Sequence, residues 1–219
     1  MNVYVIVEGE QSAKDVYAAW IPMVNPSLSQ IYRIDSFRSN NFFLFAGHGY
    51  PGYIDRISNA IEDINTYQQI SRLVIAVDSE EKTFQEKLYE IKDVISHYRC
   101  TAQIMIIIQH FCLEAWALGN RKIMSRNIQN TKLREYKSFY DVYSNDPELL
   151  PAYPKEELNK AQFAYKYLIR LLNEKFEGLS YSKHNSKVLQ KDHYFLQLNK
   201  RLNETKHIAS FQTFLNAFI

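Results

Sequence analysis

Acidic side chains follow two short apolar runs, and their type and spacing suit metal chemistry. Val3–Val7 is followed by Glu8, and Leu73–Val77 is followed by Asp78 and Glu80. A continuous apolar run of five residues is typical of a strand that is buried on both faces of a parallel sheet. Because ligands bind beyond the carboxyl ends of such strands, neighbouring strands would bring Glu8, Asp78 and Glu80 together.

Carboxylates that crowd together repel one another and lose hydration, so they favour a bound cation. Their hard oxygen atoms suit Mg²⁺ or Mn²⁺. A second interpretation stands beside this one, because a strand-end acid often caps the following helix at its positive end. The occurrence of two such clusters, one with the spacing Asp78-x-Glu80, favours the metal site.

Apolar runs alternate with amphipathic segments over roughly the first 110 residues, and this alternation predicts a parallel sheet with right-handed crossovers. The expected fold class is α/β, with a Rossmann-like parallel four-stranded sheet flanked by helices and followed by a C-terminal helical extension. The first helix is expected to begin with a capping box at Ser12–Asp15 and to end before Pro22. The predicted strands are Val3–Val7, Asn41–Ala46, Leu73–Val77 and Ala102–Ile108.

Three segments are expected. Residues 1–118 form the α/β core, residues 119–154 form a linker or lid rich in proline near its end, and residues 155–219 form helices packed on the core. The extension is expected to open with a helix over Lys155–Phe176, ended by Gly178. Two terminal helices follow at about Lys187–Arg201 and His207–Phe218.

Further candidates lie beyond the other strand ends. The turn Gly47-His48-Gly49 follows the second strand. Its two glycines would let the backbone approach a phosphate closely, and the His48 side chain could contact the same phosphate. His110 follows the fourth strand and is expected to form hydrogen bonds around the site. Glu114 begins an apolar helix, where it is either a partner of the helix dipole or a metal ligand.

Charge is distributed unevenly along the chain, whose net charge is +2. Residues 1–100 carry 9 Lys and Arg against 13 Asp and Glu, whereas residues 155–219 carry 11 against 6. An acidic half joined to a basic half suits a metal-dependent enzyme that acts on a polyanion, although solvated helix faces give the same pattern. The loop that carries Lys183 and His184 is rich in donors and could bind phosphate.

Composition excludes several classes. Two cysteines, Cys100 and Cys112, do not make a disulfide framework, so a reducing cytoplasm is the expected location. No apolar run, Ile104–Ile108 included, is long enough to span a bilayer, and the N-terminus has no signal-peptide pattern. The chain has no Walker loop, dinucleotide-type glycine turn, zinc spacing or hydrolase nucleophile elbow.

The motifs Val7-Glu8-Gly9, Ala46-Gly47-His48-Gly49 and Val77-Asp78-Ser79-Glu80 together resemble the ordered signatures of the Toprim superfamily. The segment from Phe111 to Leu118 and the run Tyr181-Ser182-Lys183 are similar to parts of the small stand-alone OLD-type and RloB-like Toprim proteins. Two departures stand out, since Glu80 replaces the second Asp of the family pair and Lys82 takes the place of a third acid in many members.

The resemblance implies a Toprim-type endonuclease dependent on Mg²⁺ or Mn²⁺. It implies that Glu8 is a metal ligand or general acid–base, that Asp78 and Glu80 are metal ligands, that Glu114 could supply a further ligand, and that Lys183 is catalytic. The substrate would be DNA or RNA, and a partner ATPase of the OLD or ABC type and a role in phage defence or mobile-element biology are also implied.

Two other functions remain open. Lys82 at the third acidic position is compatible with a catalytically silent adaptor that binds a partner protein or nucleic acid. The same metal site would also serve phosphoryl or nucleotidyl transfer to a small substrate.

Overall fold

The structure is a computed structural model and describes residues 1–9, 11–47, 49, 52–176 and 181–219. Two residues singled out above, His48 and Gly178, lie outside this set. None of the helices in the described residues is long and apolar enough to cross a membrane. The strands are β1 (Val3–Val7), β2 (Ser29–Ile31), β3 (Asn41–Ala46), β4 (Arg72–Asp78) and β5 (Gln103–Gln109), and the helices are α1 (Gln11–Val24), α2 (Gly52–Thr66), α3 (Phe84–Ser96), α4 (Leu113–Ala117), α5 (Thr131–Phe139), α6 (Lys160–Lys175), α7 (Asp192–Thr205) and α8 (Phe211–Ala217).

The strands form one sheet in the order β2-β3-β1-β4-β5. β1 pairs with β3 on one side and with β4 on the other, and both pairings are parallel. Val7, the last residue of β1, lies opposite Ala46 of β3 and Ala76 of β4. The expected Rossmann-like α/β class is therefore confirmed at this level.

The number of strands was predicted wrongly, because the sheet in the described residues has five strands and not four. The additional strand, β2, is only three residues long and pairs in parallel with β3 at the edge of the sheet. Its residues are Ser29, Gln30 and Ile31, and none of them is buried. Without an apolar run, an edge strand of this length carries no periodic signal in the sequence.

The chain divides into two compact units. The first comprises residues 1–77, 83–108 and 213–219, and the second comprises residues 78–82 and 109–212. In the first unit, Tyr4, Ile6 and Ile75 belong to an apolar core shared with Ile57 of α2 and Ile91 of α3. The rings of Tyr17 and Trp20 in α1 contact Phe214, so α1 packs against the C-terminal segment in this unit.

The boundaries of α1 differ from the expectation. The helix begins at Gln11, so Ser12 lies inside it and not at a capping position, and it continues through Pro22 to Val24. Pro22 lies in the last turn, where the missing amide affects a single hydrogen bond, and the Asn25 amide still donates to the Ile21 carbonyl. α3 does have a capping box, formed by Thr83 and Glu86.

The second unit contains a cluster of aromatic rings. The Tyr136 ring of α5 lies 4.9 Å from the Phe163 ring of α6 and 5.1 Å from the ring of Tyr153, edge to face in both cases. Phe163 and Tyr153 are also stacked, at 4.8 Å. All three are fully buried, so the segment expected as a linker or lid contributes core residues to this unit.

The carboxylate of Glu156 binds several side chains at the edge of this cluster. Its carboxylate accepts a hydrogen bond from the Tyr136 hydroxyl at 3.1 Å and forms ion pairs with Lys132 at 2.7 Å and Lys166 at 3.3 Å. The hydrogen bond from Lys132 is the main reason that the pKa of Glu156 falls from its usual 4.5 to about 2. The folded state therefore favours the ionised carboxylate.

Glu156→Gln is expected to lower the free energy of unfolding by about 1 kcal/mol at pH 7, because these pairs are partly exposed and screened. The folded pKa lies below the unfolded value, so the contribution of Glu156 is present above pH 4.5 and is lost as the pH falls through about 2. Urea unfolding of both proteins between pH 7 and pH 3 measures the difference, which should shrink with acid. Glu157→Gln is the matched control, and a difference that is constant with pH would contradict the assignment.

Candidate strand-end site

The order of the strands reverses at β1. After β1 the chain forms β2 and then β3, which both lie on one side of β1, and from β3 it crosses to β4 on the other side. In open α/β sheets, the carboxyl ends of the two strands that flank such a reversal are the usual place for a ligand. Glu8 is the residue that follows β1, and Asp78 is the last residue of β4.

In the first unit, Glu8 is held by its backbone and faces a lysine. Its amide donates to the Ala76 carbonyl at 2.8 Å, and its carbonyl accepts from the Gly49 amide at 2.8 Å. The side chain is only 8% exposed, and its Oε2 lies 3.9 Å from Nζ of Lys87. The sheet therefore fixes the backbone of this acid, while an ammonium group balances its charge.

Lys87 was not singled out in the sequence. It lies on α3, its side chain is 4% exposed, and its Nζ donates to the Tyr53 hydroxyl at 3.0 Å. It also lies 3.6 Å from the Glu90 carboxylate, which accepts a hydrogen bond from Tyr53. A signal was present, because Lys87 is four residues before Ile91 and so falls on the same buried stripe of the helix.

The two described glycines of the Gly47-x-Gly49 turn bind the end of β1. The Gly47 amide donates to the Val7 carbonyl at 2.7 Å, and the Gly49 amide donates to the Glu8 carbonyl. A Cβ on Gly47 would lie 2.6 Å from Cβ of Tyr53, so a larger residue would displace the start of α2. These contacts show how the glycines position Glu8, and a phosphate contact by this turn stays a prediction.

In the second unit, Asp78 and Glu80 begin a tight turn. Asp78 is half-buried and Glu80 is exposed, with a positive φ of 51°. The Glu80 amide donates to the Phe111 carbonyl at 3.0 Å, and the Lys82 amide donates to the Ser79 carbonyl at 2.9 Å. The turn is thus fixed through its backbone.

Asp78 and Glu114 share a neighbour in this unit, the buried thiol of Cys112. Burial raises the pKa of Cys112 well above its usual value, and the negative charges of Glu114 and Asp78 raise it further. Glu114 lies in the first turn of α4 and is buried, and its Oε1 accepts a hydrogen bond from the Tyr181 hydroxyl at 2.8 Å. The carboxylates of Asp78 and Glu114 thus place negative charge around this thiol, which favours a bound cation.

Lys183 lies in the two-residue loop of a short hairpin. The Ser182 amide donates to the Asn185 carbonyl and the Asn185 amide donates to the Ser182 carbonyl, both at 3.0 Å, so Lys183 and His184 are exposed between them. Tyr181, which immediately precedes the hairpin, is the residue whose hydroxyl binds Glu114. The structure thus joins the base of the Lys183 hairpin to one of the candidate acids.

His110 contacts the acidic turn through Ser79. Its Nδ1 lies 3.3 Å from the Ser79 hydroxyl, and its amide donates to the Ser210 hydroxyl at 3.4 Å. Burial lowers the pKa of His110, and the positive charge of Lys160 lowers it further. A neutral imidazole that contacts the residue between Asp78 and Glu80 suits a hydrogen-bonding role around the turn.

The described ranges, with their gaps at 10, 48, 50–51 and 177–180, contain no group of three or more His, Cys, Asp or Glu side chains arranged to hold a metal ion. The donor types at the strand ends still fit a hard divalent cation, because they are carboxylates. A resident Mg²⁺ or Mn²⁺ therefore stays a proposal.

Comparison with protein-family models, curated proteins and solved structures gives no match to this chain. The Toprim resemblance is consequently a matter of the quoted motifs alone.

Proposed function

We propose that this protein is a nuclease that cleaves phosphodiester bonds of nucleic acid with the help of Mg²⁺ or Mn²⁺. The observation that carries the proposal is the reversal of strand order at β1, with Glu8 directly after β1 and Asp78 at the end of β4. This is the usual ligand position of an open α/β sheet, and carboxylates there suit a hard cation. The motif resemblance to Toprim proteins supports the same activity and a role in phage defence beside an ATPase partner.

The roles of the residues follow from their chemistry. Glu8 and Asp78 would hold the cation, and Glu80 and Glu114 would be further ligands. A bound cation lowers the pKa of water and offsets charge on a scissile phosphate. Lys183, exposed on its hairpin, would bind the phosphate anion and stabilise the negative charge that develops during cleavage. His110 would hold the acidic turn through Ser79.

The test is incubation of the purified protein with supercoiled plasmid and, separately, with single-stranded RNA. We expect cleavage of at least one substrate with Mg²⁺ or Mn²⁺ and none with EDTA, because the carboxylates alone do not activate water. Gel electrophoresis measures the products. Cleavage that continues unchanged in EDTA would contradict a metal-dependent mechanism, and a folded protein that is inert with both cations would contradict the nuclease.

A second candidate is an adaptor that binds a partner or nucleic acid without cutting. The ion pair between Glu8 and Lys87 favours it, because a buried ammonium already balances the charge of the principal acid. Thermal unfolding with and without Mn²⁺ separates the two functions. A rise in the midpoint that disappears in Asp78→Asn supports the nuclease, whereas no rise in the wild-type protein supports the adaptor.

A further inference from the structure

The second unit contains a cavity of about 860 Å³ whose lining is strongly basic. Residues of the 3₁₀ turn at Arg121–Ile123 and of the helices α5, α6 and α7 contribute to it. Seven of the lining side chains are Lys or Arg, and Glu204 is the only acid among the lining residues that the structure describes. A cavity of this size is typical of a binding site for a small molecule or a few groups of a larger one.

The charges of this cavity are poorly balanced. Glu204 forms ion pairs with Arg121 at 3.8 Å and Lys200 at 3.6 Å, so it serves two of the cations. Four other lining cations form no ion pair with any carboxylate in the part of the chain that the structure describes: Lys122, Arg126, Lys137 and Lys175. Because positive charges that line one cavity repel one another, an anion with several charges would relieve the repulsion.

The cavity also has an aromatic wall whose backbone is held by a buried guanidinium. Arg201 is 1% exposed, and its two terminal nitrogens donate to the carbonyls of Val142, Tyr143 and Asn145 at 2.7–3.0 Å. Tyr143 remains 49% exposed, and the Arg121 guanidinium lies over its ring at 5.5 Å. An exposed ring beside cations is the arrangement on which a nucleic-acid base stacks while its phosphates are neutralised.

We propose that this basic cavity binds single-stranded nucleic acid, with the phosphates at Lys122, Arg126, Lys137 and Lys175 and a base stacked on Tyr143. The choice of nucleic acid rests on the proposed function, whereas the site itself is assigned from the charges and the ring. A free nucleoside triphosphate carries the same phosphate and base chemistry, so the test includes it as a separate ligand.

The test measures fluorescence anisotropy of a labelled 12-nucleotide single-stranded DNA, its RNA counterpart and a labelled ATP, all in EDTA. We expect the oligonucleotides to bind, and the double variant Lys122→Glu/Arg126→Glu to weaken that binding by at least about tenfold. The control Lys155→Glu/Lys191→Glu changes two exposed lysines of the same unit outside the cavity, makes the same change in net charge and should retain the affinity. Tyr143→Ala should weaken binding by about tenfold through lost stacking.

Equal weakening by both double variants would overturn the proposal, since only the overall charge would then matter. No oligonucleotide binding by the wild-type protein would also overturn it. Binding of labelled ATP alone, lost in Lys122→Glu/Arg126→Glu, would reject the strand and identify a nucleotide site. The binding assay contains EDTA and so does not depend on metal-dependent cleavage. If the protein binds the strand in this assay but never cuts it with Mg²⁺ or Mn²⁺, the nuclease proposal is overturned and the binding site is retained.

Discussion

Asp78→Asn and Glu8→Gln are each expected to reduce metal-dependent cleavage by about a thousandfold or more, and in Glu8→Gln the buried Lys87 keeps the Glu90 carboxylate as a partner. The reason is that each change removes a negative charge and a hard oxygen donor from the end of β4 or β1, where the cation is proposed to bind. A thousandfold loss corresponds to about 4 kcal/mol of transition-state stabilisation. Initial rates of plasmid nicking with Mn²⁺ measure the effect.

Asp93→Asn is the matched control for this prediction. Asp93 is an exposed acid on α3, and its replacement should leave the rate unchanged. Circular dichroism and the unfolding midpoint establish that each variant keeps its fold. Nicking by Asp78→Asn at the wild-type rate would remove this residue from the proposed site, whatever happened to Glu8→Gln.

Lys87→Met is expected to lower the free energy of unfolding by about 3–5 kcal/mol. Lys87 and Glu8 are both buried, and loss of the ammonium would leave the buried Glu8 carboxylate without the cation that faces it. Removing one member of a buried ion pair is strongly destabilising because the remaining charge loses its compensation. Urea denaturation followed by tryptophan fluorescence measures the change.

Two further variants make this prediction specific. Lys92→Met alters an exposed lysine of the same helix and should change the stability by less than about 0.5 kcal/mol. The double variant Glu8→Gln/Lys87→Met removes both charges and should recover part of the loss, as coupled residues do in a double-mutant cycle. A double variant that is as unstable as the sum of its single changes would show that the 3.9 Å pair contributes no coupling energy.

Much of the sheet could be predicted because its strands are mostly apolar runs, and the central strands β1 and β4 are buried on both faces. Val3–Val7 and Asn41–Ala46 have the bounds that their apolar runs predict, and β4 differs from its run by one residue at each end. β2 could not be predicted, since a three-residue edge strand has no periodicity. Prediction of α5, at Thr131–Phe139, failed for a related reason: few of its residues face the core, and charged residues surround them.

The candidate site could be predicted only in part, because local patterns identify residue types and not the contacts between distant residues. The strand-end acids stood out by position alone. The orientation of α3 could not be predicted, because its apolar first residue, Phe84, is 38% exposed, while Lys87 is buried. The hydrogen bond between Tyr181 and Glu114 joins residues 67 positions apart, and no pattern along the chain predicts such a pair.

Arg201 donates hydrogen bonds to three loop carbonyls, so the order of residues 142–145 depends on the folding of α7. Residues 142–145 owe these hydrogen bonds to a side chain of α7, so fraying of that helix would release the segment together with Tyr143. The three carbonyls would then lose their donors together each time α7 opens, so the segment and this helix behave as one cooperative element. Lysine could not substitute for Arg201, because a single ammonium lacks the planar, forked array of donors that reaches several carbonyls at once.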